Sequence, residues 1–347
     1  MAVLPVHYPK EILTALDLLA VELWGPPGAP RGDQAGRVQT YVCSVVRNAL
    51  AFLASGGADV ADAVLFPHTC DSIQGLATLA TDFGGWGKKA FTFLHPKGPC
   101  RPSARAFVEA EMRSLAAELA TWTGSVLDPD RLSWAIRLHR EIDAARAHIL
   151  DARARLPMGD EDLYAILRRG EWLWPEDHLA ELRAAGARVA PEPVQPGLPV
   201  LVSGYVPEPM SVLATLNRAG AYVAADDYAA VGRRVVRESA ARADPWEELV
   251  DRYWAAPPCS TRSADHGSRL AYLLGLFDRS GARGVLLHEL KFCEPEAFDA
   301  PVIRKAFAAR GVPVLQLEGE MEAQLSGQAA TRIEAFVEMI GGAGRGA

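Results

Sequence analysis

Two cysteines follow apolar runs that have the length of buried strands. Cys70 lies in LFPHTCDSIQ, just beyond one such run, and Cys293 lies in GVLLHELKFCEPE, just beyond another. Because ligands of open α/β sheets bind beyond the carboxyl ends of strands, both thiols occupy positions where binding groups are expected. Thiols in such positions predict metal binding or redox chemistry.

A third cysteine, Cys43, lies in YVCSVVRNAL at the start of a predicted helix that precedes the first of these strands. A second helix is predicted to begin near Asp71. Its N-terminal amides would point toward Cys70, and such amides favour the thiolate over the thiol. Three thiols, those of Cys43, Cys70 and Cys293, could then converge in the cleft between two lobes.

A purely structural role is the alternative for these cysteines, because free cysteine is often buried and packs as a small hydrophobe. No pair has CxxC spacing, so a zinc knuckle or a bacterial ferredoxin-type site has no support. Cys100 and Cys259 lie in proline-rich loops, where the structural role is favoured. Five cysteines, an odd number in a long chain, do not predict a disulfide framework.

The composition argues against several classes of function. The net charge is −7, and arginines alternate with acids along predicted helices such as RLHREIDAARAHILDARARL. Nucleic-acid and polybasic membrane surfaces need clustered Lys and Arg, so neither is expected. No run approaches the roughly 18 apolar residues of a membrane helix, and the N-terminus lacks a signal-peptide pattern. We therefore expect a cytoplasmic protein.

The elements that must position the cysteines are buried parallel strands that alternate with amphipathic helices, which predicts an α/β fold. The six strand-like runs are DAVLFP (62–67), AFTFL (90–94), PVLVSGY (199–205), AYVAADD (221–227), GVLLHEL (284–290) and PVLQLEG (313–319). A helical stretch separates the second run from the third. Asp128 is its predicted N-cap and Pro129 its first residue, and Leu138, Ile142, Ala145 and Ile149 share one helix face.

The length of 347 residues, with 49% hydrophobic residues, predicts two domains, because single cores rarely exceed roughly 250–300 residues. The proline-rich segment ARVAPEPVQPGLP (187–199) is the predicted boundary. It gives a first α/β domain with the helical segment over 1–190 and a second α/β domain over 191–347. The glycine-rich tail from residue 341 is expected to be frayed.

Several longer motifs resemble the 2-hydroxyacyl-CoA dehydratase family, which also contains the cluster-bearing subunits of ATP-dependent benzoyl-CoA reductase. They are PHTCDSIQ, YVCSVVRNAL, VLVSGYVPEPMSVLATLNRAGAYVAADDYAAVGRR, ELKFCEPEAFDAPVIRKAFAARGVPVLQLEGE and GQAATRIEAFVEMI. The resemblance runs in order from Cys43 to about Glu338. It implies two doubly wound, Rossmann or flavodoxin-like domains with a helical connection.

The family also implies a [4Fe–4S] cluster held by three cysteines of one subunit, which correspond to Cys43, Cys70 and Cys293. Three thiolates leave one iron open to water or to a substrate oxygen. In the family an acyl-CoA thioester receives one electron and forms a ketyl radical. Dehydratases then lose the 2-hydroxyl group, whereas benzoyl-CoA reductases keep the electrons in the product, and the sequence leaves both outcomes open.

The electron source is expected to be a separate protein. The segment GGWGKKA (84–90) fails the phosphate-loop template, because Asp82 replaces its first glycine and Lys89 replaces the magnesium-binding Ser or Thr. The resemblance implies a dimeric iron–sulfur ATPase that acts as activator. It also implies a homologous subunit as partner, in a homodimer or a heterodimer.

The sequence differs from those of the larger family members in two features. The chain begins almost directly at HYPKEILTALDLLAVELWG, without a longer N-terminal extension, which favours the smaller of the two subunit types. Cys100 and Cys259 are additional, and they leave room for a double-cubane cluster of the kind known among relatives.

His68, two residues before Cys70, is the candidate catalytic residue. Its imidazole could donate to a cluster sulfur or to the substrate carbonyl, and the alternative is a histidine that satisfies a strand-end carbonyl. His288 is predicted to be a core histidine. The remaining candidates lie at strand ends or on a helix. Ser203 and Gly204 are predicted points of close approach, and Asp226 and Asp227 are predicted to be solvated turn acids or cleft residues. Glu289 and Lys291 are candidate supporting groups, and Arg332 could pair with an acid or with a CoA phosphate.

Overall fold

In the residues that the structure describes, 1–26, 38–262 and 265–342, eight strands form two parallel four-stranded sheets; the structure is a computed structural model. The strands are β1 Ala2–Val3, β2 Val21–Glu22, β3 Ala63–Pro67, β4 Lys89–Phe93, β5 Leu198–Gly204, β6 Ala221–Tyr228, β7 Gly284–Leu290 and β8 Val314–Gly319. The first sheet has the order β2-β1-β3-β4, and the second has the order β6-β5-β7-β8. In the first sheet the strand order changes direction between β1 and β3, and in the second sheet between β5 and β7. Open sheets bind ligands at such a switch point.

Helices cover both faces of each sheet, so the predicted doubly wound α/β fold is confirmed. Those in the described part are α1 Lys10–Ala15, α2 Ser44–Ala54, α3 Asp71–Thr78, α4 Pro102–Thr123, α5 Pro129–Asp151, α6 Asp160–Arg168, α7 Pro175–Gly186, α8 Ser211–Arg218, α9 Pro245–Ala255, α10 His266–Ser280, α11 Glu294–Ala309 and α12 Gly327–Gly342. None of them combines the length and apolarity that crossing a bilayer requires.

The alternation of side chains along the strands explains the layers. In β3, Val64 and Phe66 pack against α2 and α3, whereas Ala63 and Leu65 face the opposite core with α1, α4 and α5. The second sheet repeats this pattern, with α8 and α12 on one side and α10 and α11 on the other. The apolar core between β3, α2 and α3 is continuous with the core between β5, α8 and α12. One shared apolar layer therefore joins the two sheets.

All six strands predicted from apolar runs are present, with ends within one residue of those predicted. Sequence periodicity missed β1 and β2, because two residues are too few to show a period. The predicted helical connection is present as α4 to α7. Asp128 caps α5 by accepting a hydrogen bond from the Asp130 amide at 2.8 Å, and Leu138, Ile142 and Ile149 are buried as predicted.

The division at residue 190 stays a prediction. The two sheets lie on either side of it, but α9, from the second half of the chain, packs Leu249 and Val250 into the core of the first sheet. Gly341 and Gly342, the first residues of the predicted frayed tail, are the last two residues of α12, and fraying of the tail stays a prediction. Residues 343–347 lie outside the described residues.

The strands β5 and β7 approach so closely at Gly204 that a side chain does not fit. A Cβ there would lie 2.0 Å from the carbonyl oxygen of His288 in the neighbouring strand. We expect Gly204→Ala to lower the free energy of unfolding, measured by urea denaturation, by about 2–3 kcal/mol, since backbone must move. Gly75→Ala, in open space on α3, is the control and is expected to gain up to about 1 kcal/mol from helix propensity. Equal changes in the two variants would contradict this reading.

Candidate metal centre

The three candidate cysteines occupy equivalent local positions, because each is the residue immediately before a helix. Cys43 precedes α2, Cys70 precedes α3 and Cys293 precedes α11. Cys70 lies three residues beyond β3, and Cys293 lies three residues beyond β7. Since β3 and β7 are the third strands of two sheets with the same order, both cysteines lie beside a switch point.

The fold brings these three thiols within electrostatic reach of one another. Cys70 acts on the pKa of Cys43, and both Cys43 and Cys70 act on the pKa of Cys293. The phenol of Tyr205, one residue beyond β5, is influenced by all three and by Cys259. Cys43 and Cys293 are buried, and Cys70 is half-buried. The two sheets therefore contribute sulfur atoms to one region of the interior.

The predicted preference of Cys70 for the thiolate is wrong in its net direction. Amides of Ser72 and Ile73 lower the pKa of Cys70 as expected, but burial raises it by more. Burial and the neighbouring Cys70 likewise raise the pKa of Cys43 to about 11. Lys97 and Arg47 act in the opposite direction on Cys70 and Cys43, respectively, but burial outweighs them and favours the protonated thiols. A metal would supply the missing charge, since metal-bound thiols are deprotonated.

The donor set suits a cluster better than a single ion. Within the described residues, no three His, Cys, Asp or Glu side chains are arranged to hold one metal ion. A four-iron cluster is much larger than an ion and holds its cysteine ligands farther apart. Three sulfurs that are in electrostatic reach, two of them buried and one half-buried, each at a helix N-terminus, fit such a cluster in number and chemistry.

Buried polar atoms without a hydrogen-bond partner lie beside Cys70, at the carboxyl ends of β3 and β4. Within the described residues they include His68 Nε2, Thr69 Oγ1 and both ring nitrogens of His95, and the hydroxyl of Tyr253 in α9 also has no partner. His68 Nε2 therefore satisfies no strand-end carbonyl. Burial lowers the pKa of His95 to about 2, so its neutral ring offers one donor and one acceptor. Buried groups of this kind mark positions for a ligand or ordered water.

Backbone strain is concentrated at the same edges. Val6 and His7, which follow β1, have φ values of 63° and 56°, and Phe292, which precedes Cys293, has a φ of 64°. Positive φ is uncommon for residues other than glycine and is a clear outlier for β-branched valine. Strain of this kind clusters at ligand-binding and catalytic sites.

The expectation that Asp226 and Asp227 are solvated is wrong, because both are buried. Asp226 accepts hydrogen bonds from the Tyr164 hydroxyl and from the amides of Tyr228 and Gly232. Burial raises the pKa of Asp226 to about 7. Asp227 instead forms ion pairs with buried arginines. Of these two neighbouring carboxylates, Asp227 is paired with arginines, whereas Asp226 has no ion pair with a described residue.

Asp226 is expected to make stability depend on pH. Its pKa is 3.8 for the free side chain and about 7 when folded, so the folded state favours the protonated acid. The stability that it contributes is complete below pH 4 and falls by up to about 1.4 kcal/mol per pH unit until pH 7. Asp226→Asn mimics the protonated acid and should gain stability relative to wild type over that range, as measured by urea denaturation. Asp278→Asn, in an exposed ion pair with Arg310, should show no such gain.

The other predicted residues have varied outcomes. His288 is a core histidine, as predicted, and its Nδ1 pairs with the Tyr228 hydroxyl at 3.0 Å. Ser203 donates to Asp227, and Glu289 accepts from Gln316. Arg332 donates to the Gln316 carbonyl on the surface and has no acid partner among the described residues, so that part of the prediction is wrong, and a phosphate partner stays a prediction. Lys291 is exposed.

The two additional cysteines differ from each other. Cys100 is exposed, whereas Cys259 is completely buried and accepts a hydrogen bond from Arg233 at 3.5 Å. Burial would raise the pKa of Cys259, but Arg233 and the Thr261 hydroxyl outweigh it and lower the pKa. Sequence reasoning missed the environment of Cys259, and it did not select Tyr205 or His95, because the neighbours of these residues are distant in sequence. For Tyr205 and His95, the position just beyond a strand was the available signal.

The segment GGWGKKA leads into a strand rather than a helix. Lys89 is the first residue of β4, and Lys88 donates to the carbonyl of Ala61 at 2.9 Å. A phosphate loop requires a helix whose N-terminal amides hold the phosphate. The geometry therefore agrees with the prediction from the sequence that this segment is not a phosphate loop.

Comparison with known proteins gives the family. A model described as 2-hydroxyglutaryl-CoA dehydratase, D-component, matches residues 5–340. The chain is 25% identical over 345 residues to lactoyl-CoA dehydratase subunit beta of Anaerotignum propionicum, covering 98% of this chain and 91% of that protein. It is 25% identical over 338 residues to one of the subunits of benzoyl-CoA reductase from Thauera aromatica, covering 92% and 84%. It is 22% identical over 354 residues to (R)-2-hydroxyglutaryl-CoA dehydratase, subunit beta, of Acidaminococcus fermentans, covering 97% and 91%. The chain therefore belongs to the 2-hydroxyglutaryl-CoA dehydratase D-component family of enzymes.

Proposed function

We propose that this chain is the [4Fe–4S] subunit of a radical acyl-CoA enzyme of the 2-hydroxyacyl-CoA dehydratase type. Cys43, Cys70 and Cys293 would hold the cluster. The observation that carries the proposal is that both sheets direct a third-strand cysteine, together with Cys43, into one buried region. The family membership supports the same assignment.

When bound, the cluster supplies a low-potential electron to the thioester and an iron without a protein ligand, which can polarise an oxygen atom. The chain itself has three tasks. The N-terminal amides of α2, α3 and α11 stabilise negative charge on the sulfurs. The shared apolar layer excludes water from two of them. His68 and His95 offer unpaired ring nitrogens to a substrate oxygen or to ordered water.

Reduction of an aromatic ring is the second candidate function. It is favoured by the relative from benzoyl-CoA reductase, which is as similar to this chain as the relative from lactoyl-CoA dehydratase. Both reactions would use the same cysteines. A double-cubane cluster is a weaker alternative, because exposed Cys100 has no described contact with the three sulfurs.

The relatives are named subunits of larger enzymes, so a partner subunit is expected for this chain. The partner we propose is a homologous subunit, and an ATP-hydrolysing iron–sulfur activator would supply the electron. Phe292, which is adjacent to Cys293 in sequence, is exposed, and Phe298 and Val302 expose apolar side chains one turn apart on α11. Exposed apolar groups that are close together are typical of a surface that another protein covers.

The experiment that tests the proposal is purification of the full chain without oxygen, followed by iron and acid-labile sulfide analysis. We expect about four of each per chain. Turnover is then assayed with the partner subunit and the activator, using a 2-hydroxyacyl-CoA and benzoyl-CoA in parallel. Dehydration of the former supports the first function, and reduction of the latter supports the second. A chain without iron and sulfide after anaerobic reconstitution would refute both.

A further inference from the structure

A cavity of about 130 Å³, lined by charged and apolar side chains, lies beyond β1, between the start of α1, α5, α9 and the turn at residues 233–236. Its volume equals that of roughly four water molecules in the liquid, so it holds a small group and not a nucleotide. Six basic side chains and two acidic ones line it: Lys10, Arg146, Arg233, Arg234, Arg252 and Arg262, with Glu11 and Asp143. The lining is therefore strongly cationic.

Four of these basic groups have carboxylate partners. Lys10 and Arg234 both pair with Glu22, at 2.8 and 2.6 Å. Arg252 pairs with Glu11 at 3.1 Å and with Asp143 at 3.0 Å. Arg233, deeper in the protein, pairs with acids outside the cavity. These pairs neutralise most of the charge in the lining.

Two arginines in the lining make no ion pair with any described residue. Arg146 is only 9% exposed and also makes no hydrogen bond to the described residues. Asp143, its nearest acid in sequence, directs its carboxylate to Arg252 instead. Arg262, which is 8% exposed, donates only to backbone carbonyls, at 2.6 to 3.0 Å.

A buried guanidinium without an ion pair is costly, because it has lost the solvation of water, and carbonyl oxygens or more distant carboxylates replace only part of it. Two such charges at one cavity call for a group with two negative charges. Carboxylates carry only one, whereas a phosphate group carries up to two and accepts hydrogen bonds from several directions.

We propose that this cavity, with Arg146 as its main ligand, is a binding site for a phosphate group. The group is either free phosphate or, if the proposed function holds, a phosphoryl group of coenzyme A. The site is separate from the three cysteines. Arg233 lines the cavity and also pairs with Glu296, which lies in the first turn of α11 after Cys293. Phosphate binding does not require the cluster, so it is testable on the full chain in either form.

The test compares phosphate with chloride at matched ionic strength, using thermal unfolding and calorimetric titration of the full chain. Wild type should bind inorganic phosphate and unfold at a higher temperature in its presence. Arg146→Gln should weaken binding by at least about tenfold, because it removes a charge-assisted hydrogen bond. Arg146→Lys should retain part of the affinity. Arg183→Gln, on an exposed surface pair with Glu141, should bind as wild type does.

A second readout separates binding from a structural role. Without phosphate, Arg146→Gln should unfold at the same or a higher temperature than wild type, because it removes a buried charge that forms no ion pair with the described residues. A structural arginine would give the opposite result. The proposal is overturned if wild type binds phosphate no better than chloride. It is also overturned if Arg146→Gln and Arg183→Gln respond alike.

The source of the phosphate group is identified by competition in wild type. Displacement of inorganic phosphate by coenzyme A, but not by its form without the 3′-phosphate, assigns the site to that phosphoryl group. Displacement by both forms assigns it to the pyrophosphate. If neither competes, the site takes free phosphate, and the proposed acyl-CoA function is unaffected because the cysteine region is tested separately.

Discussion

Asp227→Asn is expected to lower the free energy of unfolding by about 3–5 kcal/mol, because it leaves buried arginine charge without its partner. Asp227 is completely buried at the end of β6. Its carboxylate pairs with Arg269, with an Nη1 to Oδ1 distance of 2.7 Å, and lies 3.3 Å from Arg233. Ser203 donates to it at 2.6 Å. An asparagine keeps the shape and one acceptor but loses the charge.

Urea denaturation with two comparison variants checks this prediction. The double variant Asp227→Asn with Arg269→Met removes both charges and should recover a large part of the loss, since a missing pair costs less than an unpaired ion. Asp278→Asn breaks an exposed pair with Arg310 and should cost less than about 1 kcal/mol. Similar losses for Asp227→Asn and Asp278→Asn would show that burial does not control the effect.

The same network connects to the candidate metal centre. Arg233 pairs with Glu296 at 2.5 Å, and Glu296 lies in the first turn of α11, directly after Cys293. Burial would raise the pKa of Glu296, but Arg233 outweighs it and holds the pKa at about 2. Asp227 thus helps to fix an arginine that fixes the start of α11. Faster hydrogen exchange at that turn is expected in Asp227→Asn.

The sequence was sufficient for the strands that carry most of the fold. Continuous apolar runs such as 284–290 identify buried parallel strands, because both faces of such a strand are covered. The N-terminal strand β1 was not predictable, since it consists of Ala2 and Val3 and owes its place to pairing with β2 and β3. Short strands of this kind are set by tertiary contacts and not by local pattern.

The site was only partly predictable, for a related reason. A position just beyond a strand can be read from the sequence, and it selected Cys70 and Cys293. Burial cannot be read in the same way, so the net rise in the pKa of Cys70 was missed. The environments of Tyr205 and Arg146 depend on groups more than a hundred residues away or on other elements. Such groups are close together only in the folded structure, and their proximity cannot be read from the sequence.

Under the proposed function, Cys70→Ala is expected to abolish iron and sulfide binding and with it turnover. If the thiols of Cys43, Cys70 and Cys293 are the ligands, loss of one leaves two sulfurs, too few to hold a four-iron cluster with an open corner. Because Cys70 is half-buried, its replacement should change the free energy of unfolding by only about 1 kcal/mol. The measurements are iron and sulfide content after anaerobic purification, with urea denaturation alongside.

Two other cysteines provide the controls, because they differ in burial but not in chemistry. Exposed Cys100→Ala should keep the full iron and sulfide content. Cys259→Ala should also keep it, although Cys259 lies near enough to Tyr205 to share the electrostatic environment of the three thiols. Loss of iron in Cys259→Ala would show a fourth ligand, which would close the open corner or indicate a larger cluster. Full iron content in Cys70→Ala would remove Cys70 from the ligand set, and the proposed radical chemistry would lose its structural basis.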